Sequence, residues 1–433
     1  MTRARRGSLA AIAAVLLLAQ AGCGTRLRWH IVREPSDAAV AAALNEAGDT
    51  DALLDGAPDA SVPLIPPPVH LRPCCAFGAD LRTQLGALPI PGLAIGNVIG
   101  PEVVGPHKYD GGLLGMHPGQ DPSAGKDWGE RNGLVFTCRG GFLDIAHVRD
   151  YADWTIYFAA HVFNALQQGT TLTLADEGGQ RRVVIHPVAS DRRDAVGARD
   201  LAIATGQWLA FELSVWHEIA TWYGWSSFRA FPETASAFSP EDLYSNLIGT
   251  RIAAGVIETG GADTDSLYEA TMNVWLRRTL ERLDAQPAEI GRPAIFAVDG
   301  VWWDSNRRLP DKRLTLRRNF DTGPTISPWM VTAAGIGDGA MALLDEHCGA
   351  DVRPIVLLNP DSYRGVPLRE VATIEVEVSA PLALRGFPFP RPDSRLVTQE
   401  DFPSIIAAIA IEAELDAGVE PPAADQAPPP PAN

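Results

Sequence analysis

Residues 208–225 read WLAFELSVWHEIATWYGW, and the fold turns on how little of this stretch can face water. Leu209, Leu213, Trp216, Ala220 and Tyr223 recur at helical spacing, while Phe211, Val215, Trp222 and Trp225 cover most of the remaining circumference. A helix that is apolar nearly all round belongs deep inside a domain. Onto it the sequence places Ser214, His217, Glu218 and Thr221, which share a side at spacings of three and four. A buried carboxylate without partners costs on the order of several kcal/mol. Glu218 is therefore expected to be paired, linked to a metal or protonated.

Two further helices flank this one in sequence. Upstream, residues 143–166 read LDIAHVRDYADWTIYFAAHVFNAL, with Asp144 placed to cap and His147 in the first turn. His147, Asp150, Trp154 and His161 lie roughly along one side of it. Downstream, Ser239-Pro240-Glu241-Asp242 is a strong helix start, with proline at the first position and acids in the first turn. Asp242, Ser245, Asn246 and Gly249 then fall on one side.

Thr170–Leu174 and Arg181–Ile185 form a hairpin around Gly178-Gly179. Another helix is expected over 265–283, strands over 294–303, 314–320 and 372–378, a partly helical stretch over 328–344, and a last helix within 402–414. The expectation is an α+β fold: one large domain over 71–415 with a buried helical centre, a β-hairpin and additional strands toward the carboxyl end.

The chain has 433 residues, 46% hydrophobic and 21% charged, an ordinary globular composition. Its net charge of −17 argues against a nucleic-acid surface. At the amino terminus Arg3, Arg5 and Arg6 precede an apolar run, Leu9–Ala19, and then Ala21-Gly22-Cys23. That order resembles a lipoprotein signal over 1–22, with Cys23 as the lipidated residue, although Gln20 stands where leucine is commonest. The implied location is export, with a lipid anchor in the outer membrane facing the periplasm. Residues 23–70, rich in Ala, Asp and Pro, read as a tether in which a short helix around Ser36 to Glu46 is possible, and 416–433 as a disordered proline-rich tail. Of the other cysteines, Cys74, Cys75, Cys138 and Cys348 could form two disulfides. A ring between the adjacent Cys74 and Cys75 is strained, which favours a longer-range bridge from one of them.

Four phrases, RPCCAFG, FTCRGGFLDIAHVRDYADWT, WHEIATWYGWSS and SAFSPEDLYSNLIGTRIAAG, resemble a bacterial family known only as domain of unknown function 4056. They run from Arg72 to about Gly255. The resemblance implies an exported, uncharacterised envelope protein and supplies no activity.

The chemistry has three readings. His217-Glu218 begins like a zinc-peptidase motif, but Thr221 stands at the second histidine position, so a metal site would have to be assembled across helices. In that arrangement His147 and His217 would be ligands of a divalent metal such as zinc. Asp150 or Asp242 would supply an oxygen, and Glu218 would act as base in a hydrolase working on an envelope component. The second reading is a non-catalytic envelope binding or scaffold protein with a structural His/Glu network, in which Trp222 and Trp225 could face a glycan or other envelope polymer. The third is a thiol hydrolase using Cys138 and His147, a reading that a disulfide at Cys138 would end. Thr221, Ser245 and Asn246 are further candidates for lining the pocket.

Overall fold

In the computed structural model, residues 32, 34–46, 62, 64–73, 75–85, 88–111, 130–227 and 232–416 are described. Cys23, Cys74, the signal over 1–22 and the tail beyond 416 lie outside them. Residues from Glu34 onward cluster as one unit.

A first helix, α1 (Asp37–Ala43), is capped by Ser36, whose hydroxyl accepts from the Ala39 N–H. The hairpin of β1 (Leu134–Thr137) and β2 (Gly141–Asp144) leads directly into α2 (Ile145–Ala165). Next come β3 (Thr170–Thr173), β4 (Gly179–Ile185), α3 (Ala198–Trp222), α4 (Asp242–Glu258) and α5 (Asp265–Arg282). Toward the carboxyl end the larger elements include α6 (Ala288–Ala297), α7 (Asp338–Cys348), β5 (Ala372–Val378), β6 (Leu396–Thr398) and α8 (Phe402–Asp416). The fold is α+β.

Helix α3 is buried from Leu201 through Trp222 at all but two positions, as its all-round apolarity requires. Helix α2 packs against both α3 and α4, and small residues let the backbones approach. A Cβ on Gly206 would sit 2.7 Å from the Ala159 nitrogen, and one on Gly249 2.2 Å from the Val148 carbonyl oxygen. Beside the helices lies a four-stranded antiparallel sheet in the order β6-β5-β4-β3. Strand β5 alternates buried and solvent-facing residues, the pattern of a strand with one face on the core.

Several expectations are corrected. Residues 294–303 and 314–320 are not strands. The first begins inside α6, where Ile290, Gly291, Ala294 and Ile295 are buried at helical spacing, and the second is irregular. The tether expected over 23–70 includes folded chain: Val40, Ala42, Ala43 and Leu44 are buried, and Glu46 bonds Arg282 at 2.6 Å. A short apolar run suffices to dock α1 on α4 and α5. Cys138 pairs with Cys348, with Cα atoms 5.3 Å apart, while Cys75 is unpaired. The bridge expected from the Cys74-Cys75 pair is therefore not made by Cys75.

Candidate functional site

The amino termini of α2 and α4 and the last turns of α3 converge on a buried group of acids and imidazoles. Asp144 ends β2 and caps α2, its Oδ1 accepting from the Ala146 N–H at 2.7 Å and its Oδ2 from the Cys75 N–H at 3.0 Å. One turn on, His147 donates from Nδ1 to Asn246 Oδ1 of α4 at 2.6 Å. Ser245, beside Asn246, accepts from the Asp144 N–H and donates to the Glu241 carbonyl, which ties the two helix starts together.

The carboxylates are only partly satisfied. Glu218 Oε2 accepts from the Phe238 N–H at 2.7 Å, but its Oε1 has no hydrogen-bond partner and lies 3.8 Å from His147 Nδ1. Asp242 Oδ2 accepts from the Ser239 N–H at 2.6 Å, and its unpartnered Oδ1 lies 3.8 Å from His147 Nε2. Asp144 Oδ2 is 4.0 Å from the same nitrogen. Neither carboxylate oxygen of Glu241 has a partner. Asp144, Glu218 and Asp242 are each 0% exposed, so water cannot solvate them. Burial pushes the Asp242 and Glu241 carboxyls well up, and neighbouring carboxylates push them further. Arg318, the cation that acts on both Asp242 and Glu218, gives its hydrogen bonds to the Ala237, Thr234 and Lys312 carbonyls instead.

His217 is anchored from the sheet side. Its Nδ1 donates to Glu177 Oε1 at 2.5 Å, and Glu177 is held in turn by Arg181 and by the Trp216 indole N–H bonding its carbonyl. Burial pulls the His217 imidazole down, but Glu177 more than offsets this and raises it to about 9. Burial likewise pushes Glu177 up, yet Arg181 and His217 hold its carboxyl below the usual range. The His147 and His217 rings are 5.7 Å apart, and Trp225 meets His217 edge-on at 5.5 Å.

Among the described residues, two groups of donor atoms could hold a metal ion: His147, His217 and Glu218, and Asp144, His147 and Asp242. Glu218 Oε1 and Asp242 Oδ1, both dry and without a hydrogen-bond partner, each lie 3.8 Å from a His147 nitrogen, and a cation suits such donors.

Of the residues singled out from the sequence, His147, His217, Glu218, Asp242, Ser245 and Asn246 come together, and Trp225 borders them. Asp150 does not join them. Both its carboxylate oxygens are taken by Arg72, through the backbone N–H at 3.0 Å and the guanidinium at 2.6 Å, in a buried network with Glu130 and Asp153. Cys138 is excluded as a nucleophile because its sulfur is in the disulfide. Trp222 points elsewhere, its indole N–H donating to Glu412 and its ring lying under Lys312 and Arg318. Thr221 is buried with no partner for its hydroxyl. Asp144 as more than a cap, Glu177 and Glu241 were not foreseen; only Glu241 carried a signal, as an acid next to Asp242.

A family model described as "Protein of unknown function (DUF4056)" matches residues 62–332, more than half of the chain. No curated protein and no solved structure matches.

Proposed function

The chain belongs to the DUF4056 family, whose description carries no activity, and we propose from the site's chemistry that it is a metal-assisted hydrolase. The observation that carries this reading is Glu218 Oε1, a carboxyl oxygen in a dry interior with no hydrogen-bond partner, beside two imidazoles. A divalent cation, zinc by the donor set, would supply activation of water or of a scissile carbonyl. His147 and His217 would hold it, Glu177 keeping His217 oriented through Nδ1. Glu218 Oε1 would take the proton of the attacking water, its carboxylate fixed in place by the Phe238 N–H. Trp225, half-buried at the rim, is the aromatic face available to a substrate ring. An envelope polymer as substrate, and anchorage through Cys23 to an outer membrane facing the periplasm, complete the proposal.

Burial favours a second reading. His147 and His217 are 3% and 4% exposed, which suits an ion or network that only ties three helices together. The two readings separate on the full chain. Elemental analysis is expected to find metal in the protein and little in His217→Ala. Metal-loaded protein is expected to cleave isolated cell-wall polymer, and Glu218→Gln to retain the metal but lose cleavage by at least about a hundredfold. Protein purified without bound metal, or Glu218→Gln cleaving as fast as the parent, overturns the hydrolase.

A further inference from the structure

The buried acids are not all on one side of His147. Nδ1 faces Glu218 Oε1 at 3.8 Å, whereas Nε2 faces Asp242 Oδ1 at 3.8 Å and Asp144 Oδ2 at 4.0 Å. The two nitrogens of an imidazole direct their lone pairs away from each other, so one cation cannot bond both. The donor groups His147–His217–Glu218 and Asp144–His147–Asp242 therefore describe different positions that share one ring.

Charge leads to the same point. Asp144, Glu218, Glu241 and Asp242 are each at most 3% exposed, and Asp242 Oδ1, on the far side of the ring from Glu218, has no hydrogen-bond partner. A cation at His217 and His147 Nδ1, beside Glu218, would leave Asp242 Oδ1 as it is. A dry carboxylate oxygen without a donor calls for a proton or a cation.

We infer that the centre takes two divalent cations, the second held by Asp144, Asp242 and His147 Nε2, with His147 bridging the pair. This rests on the proposed metal site and adds to it. The first cation takes the Nδ1 lone pair in place of the Asn246 contact and leaves the ring proton on Nε2, toward the two aspartates. The second replaces that proton, which leaves to water. Such a pair suits a substrate with two anionic or carbonyl oxygens at the bond to be cut, since each cation can neutralise one.

The test is metal stoichiometry of the full chain, stripped with chelator, reloaded with zinc or manganese, desalted and measured by elemental analysis. Two equivalents are expected for the parent and one for Asp242→Asn, with the first equivalent's affinity changed less than about threefold, since only the second position loses a ligand. Asp144→Asn, which keeps a capping oxygen, serves as the second variant should Asp242→Asn unfold by circular dichroism. His217→Ala is expected to lose the other equivalent. One equivalent in the parent, kept by both aspartate variants and lost in His217→Ala, overturns the second position and leaves the single-metal hydrolase intact. Two equivalents that survive both aspartate changes overturn it as well, by placing the second ion elsewhere. No retained metal in the parent overturns both readings together.

Discussion

At the scale of single residues, the pairing of His217 with Glu177 sets how the centre responds to pH. A histidine must give up its proton to bind a metal, and Glu177 raises that proton's pKa to about 9. Metal affinity is thus expected to rise with pH and to level off above about 9, and calorimetric titration at several pH values checks it. The ion-free protein gains stability from the same shift. A folded pKa above the unfolded value of 6.5 stabilises fully below 6.5, and the gain is lost as pH rises through about 9. Urea denaturation of metal-free protein should show that decline, and His217→Ala should flatten it. Glu177→Gln leaves an acceptor but removes the charge, so metal affinity is expected to fall by roughly 10–100-fold.

The helical period made much of the site legible, because residues three and four apart share a side and the central helix had nowhere to hide Glu218 except the interior. It could not locate Glu177, which reaches His217 from a hairpin turn 40 positions away. Nor could it see Arg72, 78 positions from Asp150, drawing that carboxylate into another network. Partners that distant in sequence are brought together by tertiary packing alone.

Among elements, the site's dimensions depend on how closely α2 approaches α4. Gly249 faces the Val148 carbonyl, one residue after His147, so any side chain there pushes the helices apart at the site. Gly249→Ala is expected to destabilise by about 1–3 kcal/mol through overpacking. It should also weaken metal binding by widening the gap between His147 and Asp242. Thermal unfolding and a metal titration would report the two effects. Elements with a clean period, such as α2, α3, α4 and β5, could be read in advance. The failure at α6 was one of framing: the apolar run beginning at Ala294 resembles a strand until Ile290 and Gly291 are included, and short apolar runs do not distinguish the two.

For the whole molecule, the Cys138–Cys348 bridge joins the turn between β1 and β2 to the end of α7, across 210 positions. Replacing both cysteines by serine is expected to cost roughly 2–4 kcal/mol in urea denaturation. Metal content should not change, because neither sulfur belongs to the centre. Sequence similarity to the family stops at residue 332, yet β4, which follows the Glu177 turn, is paired along its whole length with β5, Ala372–Val378. Evolutionary likeness therefore ends short of the physical unit. A gene fragment trimmed to the shared region would strip β4 of that neighbour and Cys138 of its partner. Anyone producing the protein by domain boundaries alone should expect insoluble material.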